Sequence, residues 1–237
     1  MTALIETRGL ARHFGGLKAV DGVDFTLQPG EIRAVIGPNG AGKTTFVSLL
    51  SGRIAPSAGT VRFDGRDITS LPAHARVRLG IAYTFQITSV YPKLSVWENV
   101  ALALRKPDAG PLGPQVAAIL REVGLETREE TLAGSLSYGH QRLLELAMGL
   151  ALHPRLLILD EPTQGLSDGE IENFVALVRR LAENATVLLI EHNMAVVMAL
   201  ATRITVLERG RILAEGDPQA IRADEAVQRA YLGAPAA

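Results

Sequence analysis

The chain contains no cysteine, so it can form neither disulfides nor thiolate metal centres, and this fits a reducing compartment such as the cytoplasm. Charge of one sign is not in excess: 24 basic and 25 acidic residues leave a net charge of −1. No global basic field is available to gather nucleic acid, and none is expected as a partner. Long hydrophobic runs are missing too. The longest uncharged stretches, such as residues 194–201, fall far short of the roughly 20 residues needed to cross a bilayer. The first residues carry Glu6 and no basic segment leading into an apolar run, so no secretory signal is expected. There is no internal repeat, no low-complexity tract and no sustained heptad pattern. With 237 residues, 47% of them hydrophobic, the chain can bury the core of one domain with a smaller subdomain.

Short β-branched or alternating runs at residues 4–7, 24–27 and 31–36 are separated by Gly- and Pro-rich turns and read as strands. Residues 61–63, closed by Asp64-Gly65, read as a hairpin arm, and residues 80–85 as a buried strand. From Ser95 the texture changes. Ser95-Val96-Trp97-Glu98 forms a capping box before a helix reaching Leu104, and residues 106–114 are a Pro/Gly-rich break. Val116, Ile119, Leu120 and Val123 then recur at helical spacing before Gly124. The helical part, about residues 87–154, reads as an insertion. Beyond it, residues 156–159 and 186–190 are continuous apolar runs of the kind found in parallel strands covered on both faces. Ser167 to Glu170 caps a helix between them, and residues 203–207 and 211–214 resemble a closing hairpin. Strands alternating with helices make the fold class α/β.

Gly37-Pro38-Asn39-Gly40-Ala41-Gly42-Lys43-Thr44 matches the P-loop pattern and stands directly after a predicted strand and before a predicted helix. Gly40 and Gly42 permit a backbone path that turns successive N–H groups, those of Asn39, Ala41 and Thr45 included, into an anion nest at a helix N-terminus. A polyphosphate suits it, with Lys43 reaching the β- and γ-phosphates and the Thr44 hydroxyl on Mg²⁺. A second constellation ends the strand 156–159 in Asp160-Glu161. Asp160 would support the metal and Glu161 would face the water that attacks the γ-phosphate. Paired acids after a strand are alone as compatible with a solvated turn; the P-loop gives them meaning.

Together with Leu136-Ser137-Tyr138-Gly139-His140-Gln141, Gln86 and His192, these motifs resemble the ATP-binding subunits of ABC transporters over essentially the whole chain. The resemblance implies a P-loop NTPase (RecA-like) core, an N-terminal antiparallel β subdomain and the inserted helical subdomain. It implies two subunits arranged head to tail about ATP and Mg²⁺, each P-loop facing the partner's signature segment. Ser137 and Gly139 would then meet the γ-phosphate across the interface. Gln86 would touch the metal and couple to the membrane subunits, His192 would contact the γ-phosphate, and Phe14 would stack on adenine. Gly165-Leu166-Ser167-Asp168 resembles the family's D-loop. Tyr138 and His140 stand where the family usually has Gly and Gln, and Met148 where it often has Arg. Each motif has a plainer reading as well: Phe14 as core packing, Ser137 and Ser167 as helix caps, His192 as a surface histidine.

Phe14 to Val20, Thr84-Phe85-Gln86, Tyr138-Gly139, Glu191 to Met194 and Ala230 to Gly233 are similar to the branched-chain amino-acid uptake group. That likeness implies a bacterial peripheral protein on the cytoplasmic face of the membrane. Its partners would be a second, same or homologous, ATPase subunit, two permeases and an extracytoplasmic binding protein. Permease contact is expected between Gln86 and Asn99. ATPases for urea, amides or aromatic acids look alike, and residues 71–76 are similar to a segment of the lipopolysaccharide-export ATPase. A soluble ABC ATPase acting on DNA or ribosomes and a partner that only binds ATP are the other classes. The single P-loop disfavours the first, and Lys43 with Glu161 disfavours the second.

Overall fold

The computed structural model describes residues 2–84, 89–104 and 111–231. Its strands are β1 (Ile5–Phe14), β2 (Leu17–Leu27), β3 (Ile32–Ile36), β4 (Ala58–Phe63), β5 (Arg66–Asp67), β6 (Ile81–Thr84), β7 (Leu156–Asp160), β8 (Thr186–Ile190), β9 (Arg203–Glu208) and β10 (Arg211–Gly216). Its helices are α1 (Lys43–Ser51), α2 (Ala73–Arg78), α3 (Val96–Leu104), α4 (Leu112–Val123), α5 (Tyr138–Leu150), α6 (Asp168–Leu181), α7 (Met194–Leu200), α8 (Pro218–Ala223) and α9 (Glu225–Tyr231).

Among the described residues two sheets form. One has the order β2-β1-β4-β5 and is antiparallel throughout. The other has the order β10-β9-β3-β8-β7-β6, parallel except for the antiparallel edge strand β10. The apolar runs of β7 and β8 are buried at every position, because the pleat sends alternate side chains into two cores. Leu157, Leu159, Val187 and Leu189 face helices α3 to α7. Leu156, Ile158, Leu188 and Ile190 face α1 and the antiparallel sheet. Side chains of α3, α4 and α5, which lie between β6 and β7 in the chain, share the first of these cores.

The expected strands at residues 4–7 and 24–27 extend into a long hairpin, β1 with β2, that turns at Gly15-Gly16. Its glycines read as breaks in the sequence, but the structure absorbs them in register shifts. At one of these the Gly9 N–H donates to Asp24 Oδ1 at 2.6 Å. Both expected turns are left-handed pairs joining two-stranded hairpins, Asp64-Gly65 and Arg209-Gly210. The capping box at α3 forms reciprocally: the Ser95 N–H donates to Glu98 at 2.7 Å and the Glu98 N–H to Ser95 Oγ at 3.1 Å. Helix α4 starts at Leu112, so Pro114, expected in the preceding break, stands in its first turn, where a missing N–H costs nothing.

Candidate nucleotide site

The P-loop occupies the turn between β3 and α1, and two of its glycines are there for space as well as for φ. Gly37 has φ 149° and Gly42 φ 101°; a Cβ at the first would collide with the Leu207 carbonyl, at the second with that of Ala19. The loop is pinned by Ala41 N–H to Pro38 O at 3.1 Å and Gly210 N–H to Ala41 O at 2.9 Å. Residues 39–45 line a cavity of about 520 Å³ together with Leu17, Lys18, Ala19, Glu161 and Arg209. Asn39, Gly40, Ala41, Gly42, Lys43, Thr44 and Thr45 therefore converge as the pattern requires. Lys43 is buried and lies back along the loop, its ammonium donating to Gly37 O at 2.7 Å and Pro38 O at 3.2 Å. Burial lowers its pKa, opposed by the nearby charges of Glu161 and Asp160.

Asp160 ends β7 and is 1% exposed. The Tyr83 hydroxyl on neighbouring β6 donates to its Oδ2 at 2.6 Å, while Oδ1 is buried with no hydrogen-bond partner among the described residues. Burial pushes its pKa up, with the Tyr83 bond pulling the other way. Burial and the bond to Asp160 likewise raise the Tyr83 phenol, despite Arg53 stacked 4.9 Å from its ring. Tyr83 escaped the sequence reading, because an alternating strand carries no mark of what the next strand places opposite.

The chain turns sharply at Glu161, whose φ of 48° is left-handed, and its N–H is held by Ile190 O at 2.9 Å. The turn swings the carboxylate out of the sheet onto the cavity wall. His192 Nδ1 lies 4.0 Å from Glu161 Oε2, so two residues separated in sequence meet at the tips of β7 and β8. Glu191, which the sequence reading passed over as a functional residue, is fully buried beneath both. One oxygen accepts from Thr163 N–H at 3.0 Å and Thr163 Oγ1 at 2.6 Å, the other from the N–H groups of His192 at 3.1 Å and Asn193 at 3.2 Å. A single carboxylate thus ties the turn after Glu161 to the turn holding His192. Its signal in the sequence is an acid directly after the apolar run Val187 to Ile190, where charge is costly without a task.

Phe14 stands at the tip of the first hairpin, 47% exposed, so it is not core packing. It does not line the cavity; its cross-strand partner Leu17 does. The Arg12 guanidinium covers its ring at 4.6 Å. Gln86 lies outside the described residues. Ser137 and Gly139 do not border this cavity. They form a second surface with the 165–170 segment, where the Tyr138 ring lies against Gly165 and the Glu170 carboxylate against Gly139. Ser137 caps α5, and Glu170 accepts from Ser167 N–H at 2.9 Å and Oγ at 2.7 Å. At the far end of the expected permease surface Asn99 is fully buried, its amide clamping the loop beside exposed Tyr91.

Among the described residues no helix is long and apolar enough to cross a membrane. The ABC transporter family model matches residues 20–164, and a model of the branched-chain amino acid ATP-binding cassette transporter matches residues 211–237. The chain is 38% identical to the high-affinity branched-chain amino acid transport ATP-binding protein BraF of Pseudomonas aeruginosa, over 97% of this chain and 98% of that protein. It is 37% identical, with the same coverage, to LivG of Escherichia coli K12, which bears the same description. It is 36% identical to the ribose import ATP-binding protein RbsA 1 of Rubrobacter xylanophilus, over 96% of this chain but 47% of that protein. The crystal structure of the ADP conformation of an ATP-binding cassette of an ABC transporter superposes with a TM-score of 0.88 at 27% identity, covering 98% of this chain and 100% of that one. The P-loop cradle, the strand-end acids and these likenesses agree: the chain belongs to the ATP-binding subunits of ABC transporters and is an ATPase of that family, with branched-chain amino-acid members among its relatives.

Proposed function

We propose that the chain binds ATP with Mg²⁺ and energises an importer for branched-chain or related amino acids. The observation that carries this reading is the meeting of Lys43, Asp160 and Glu161 at one P-loop, all three electrostatically coupled. The residues fit a metal. Asp160 Oδ1 is a buried carboxylate oxygen that no described residue satisfies, and a hard cation is a partner suited to such an oxygen. Thr44 and Asp160 would hold Mg²⁺, with Gln86, and the ion would neutralise phosphate charge. Phosphates would draw Lys43 off its loop carbonyls, exchanging two neutral acceptors for anionic ones. Phe14 would stack on adenine. Glu161 would orient the attacking water and take its proton, and His192 would donate to the γ-phosphate.

One chain presents its P-loop and its Ser137–Gly139 surface as separate faces, as a head-to-tail pair requires. Closure of two such subunits on ATP would drive two permeases, fed by an extracytoplasmic binding protein, from the cytoplasmic face of a bacterial membrane. Residues 87–154 would act as the inserted helical subdomain that carries the signature segment. The likeness to a ribose importer subunit favours a second cargo class, sugars. The match of residues 211–237 to the branched-chain group favours amino acids. Glu161→Gln is expected to trap ATP and suppress turnover; unchanged turnover would remove Glu161 from the mechanism. Uptake of labelled leucine and ribose by cells with and without the gene decides the cargo, and loss of ribose uptake alone would overturn the amino-acid reading.

A further inference from the structure

At the signature segment this chain carries His140 where its family usually carries Gln, and the imidazole has a specific contact there. His140 Nδ1 lies 2.6 Å from the Ser137 hydroxyl oxygen, which also accepts the His140 backbone N–H at 3.3 Å. A serine hydroxyl has one proton to give and two lone pairs to accept with. If Nδ1 carries its lone pair, the Ser137 O–H must point at it, and the face turned outward offers only a lone pair, which repels a phosphate oxygen. If Nδ1 carries a proton, it donates to Ser137 Oγ; both lone pairs are then engaged and the O–H turns outward as a donor. The protonation of one ring nitrogen thus decides the polarity of the hydroxyl.

We infer that His140 is a positioning residue for Ser137, setting whether its hydroxyl offers a proton or a lone pair to the γ-phosphate held by the partner's P-loop. The inference rests on the head-to-tail pairing proposed above. Groups packed around the ring pull both ways. Burial and Arg128, on the 3-10 turn at residues 126–128, lower the His140 pKa, and Glu170 on α6 raises it. Arg121 and Glu122 of α4, Arg142 of α5 and Arg180 of α6 line the cavity beside it. The net direction favours the neutral ring in the isolated chain. An arriving γ-phosphate adds negative charge and shifts it towards the Nδ1-protonated state. Closure on ATP then carries proton uptake at His140.

The experiment compares the full chain with His140→Gln, whose amide N–H₂ can donate to Ser137 and does not titrate in this range. Three readouts are taken: binding of a fluorescent ATP analogue, the pH profile of hydrolysis, and the imidazole ¹⁵N shifts of His140. Analogue binding, which reads the chain's own P-loop, is expected to be the same in both. The wild type's apparent KM for ATP is expected to rise about fivefold from pH 5.5 to 8, while that of His140→Gln stays flat. In a Ser137→Ala background His140→Gln should change nothing further, and Ser137→Ala itself should displace the His140 Nδ1 resonance. Identical pH profiles, or a Nδ1 resonance indifferent to Ser137, would overturn the inference. Loss of analogue binding in the wild type would instead overturn the nucleotide reading, and the nitrogen shifts can be read in the unmodified chain even without turnover.

Discussion

A carboxylate buried with one oxygen unpaired is held against its own desolvation cost, and among the described residues Asp160 is in that position. Asp160→Asn keeps an acceptor for the Tyr83 hydroxyl and removes the charge, so the nucleotide-free protein is expected to gain about 1–3 kcal/mol while hydrolysis is lost. The pH dependence follows from the raised pKa. A carboxyl whose folded pKa lies above its unfolded value supports the fold while protonated, and that support disappears as pH rises through the folded value. The advantage of Asp160→Asn should therefore be largest at neutral pH and close in acid below about pH 4, as thermal melts across pH will show. Glu161 is a second residue set against stability. Its left-handed φ of 48° costs a non-glycine residue about 1 kcal/mol. Glu161→Gly should raise the melting temperature and abolish turnover, whereas Glu161→Gln should abolish turnover without that gain.

Among the elements, those whose signals are local were legible in the sequence. The strands β7 and β8, the capped starts of α3 and α6, the Gly124 stop and the Asp64-Gly65 and Arg209-Gly210 turns each announce themselves within a few residues. What escaped depends on distant partners. Helix α2 is short and polar; it is anchored by Arg76, 1% exposed, whose guanidinium donates to the Leu49 and Leu50 carbonyls at the end of α1 and to Leu71 and Thr69. Nothing near residue 76 in the sequence signals that arrangement. The site divides in the same way: the P-loop and the acids were legible, but Tyr83 and Glu191 were not. Asn99 belongs with Arg76. Its side chain accepts from Tyr91 N–H at 2.8 Å and donates to the carbonyls of Tyr91 and Ser95 at 3.1 and 2.9 Å. Asn99→Ala is expected to cost about 2–3 kcal/mol and to speed amide exchange in residues 91–95. Urea melts combined with hydrogen exchange test both parts.

For the molecule as a whole, nucleotide binding should register in stability. ATP at a hundred times its Kd is expected to stabilise Glu161→Gln by about 2.7 kcal/mol, and Lys43→Ala should remove that gain in a calorimetric melt. A closed pair would add a dependence on protein concentration, so a melting temperature that rises with ATP but not with chain concentration would speak against closure between identical copies. The branched-chain family match lies at residues 211–237, which include β10. Arg33 on the central strand is 2% exposed and donates to Glu215 of β10 at 2.7 Å, to Thr205 at 2.8 Å and to the Thr26 carbonyl at 3.0 Å, with Glu31 at 2.6 Å. The stretch that carries the subfamily's mark is thus wired into the keystone strand of the ATPase. Severing it would strand a guanidinium in the interior with half its counter-charge gone, so grafting this tail between cassettes would disturb the engine before it changed any allegiance.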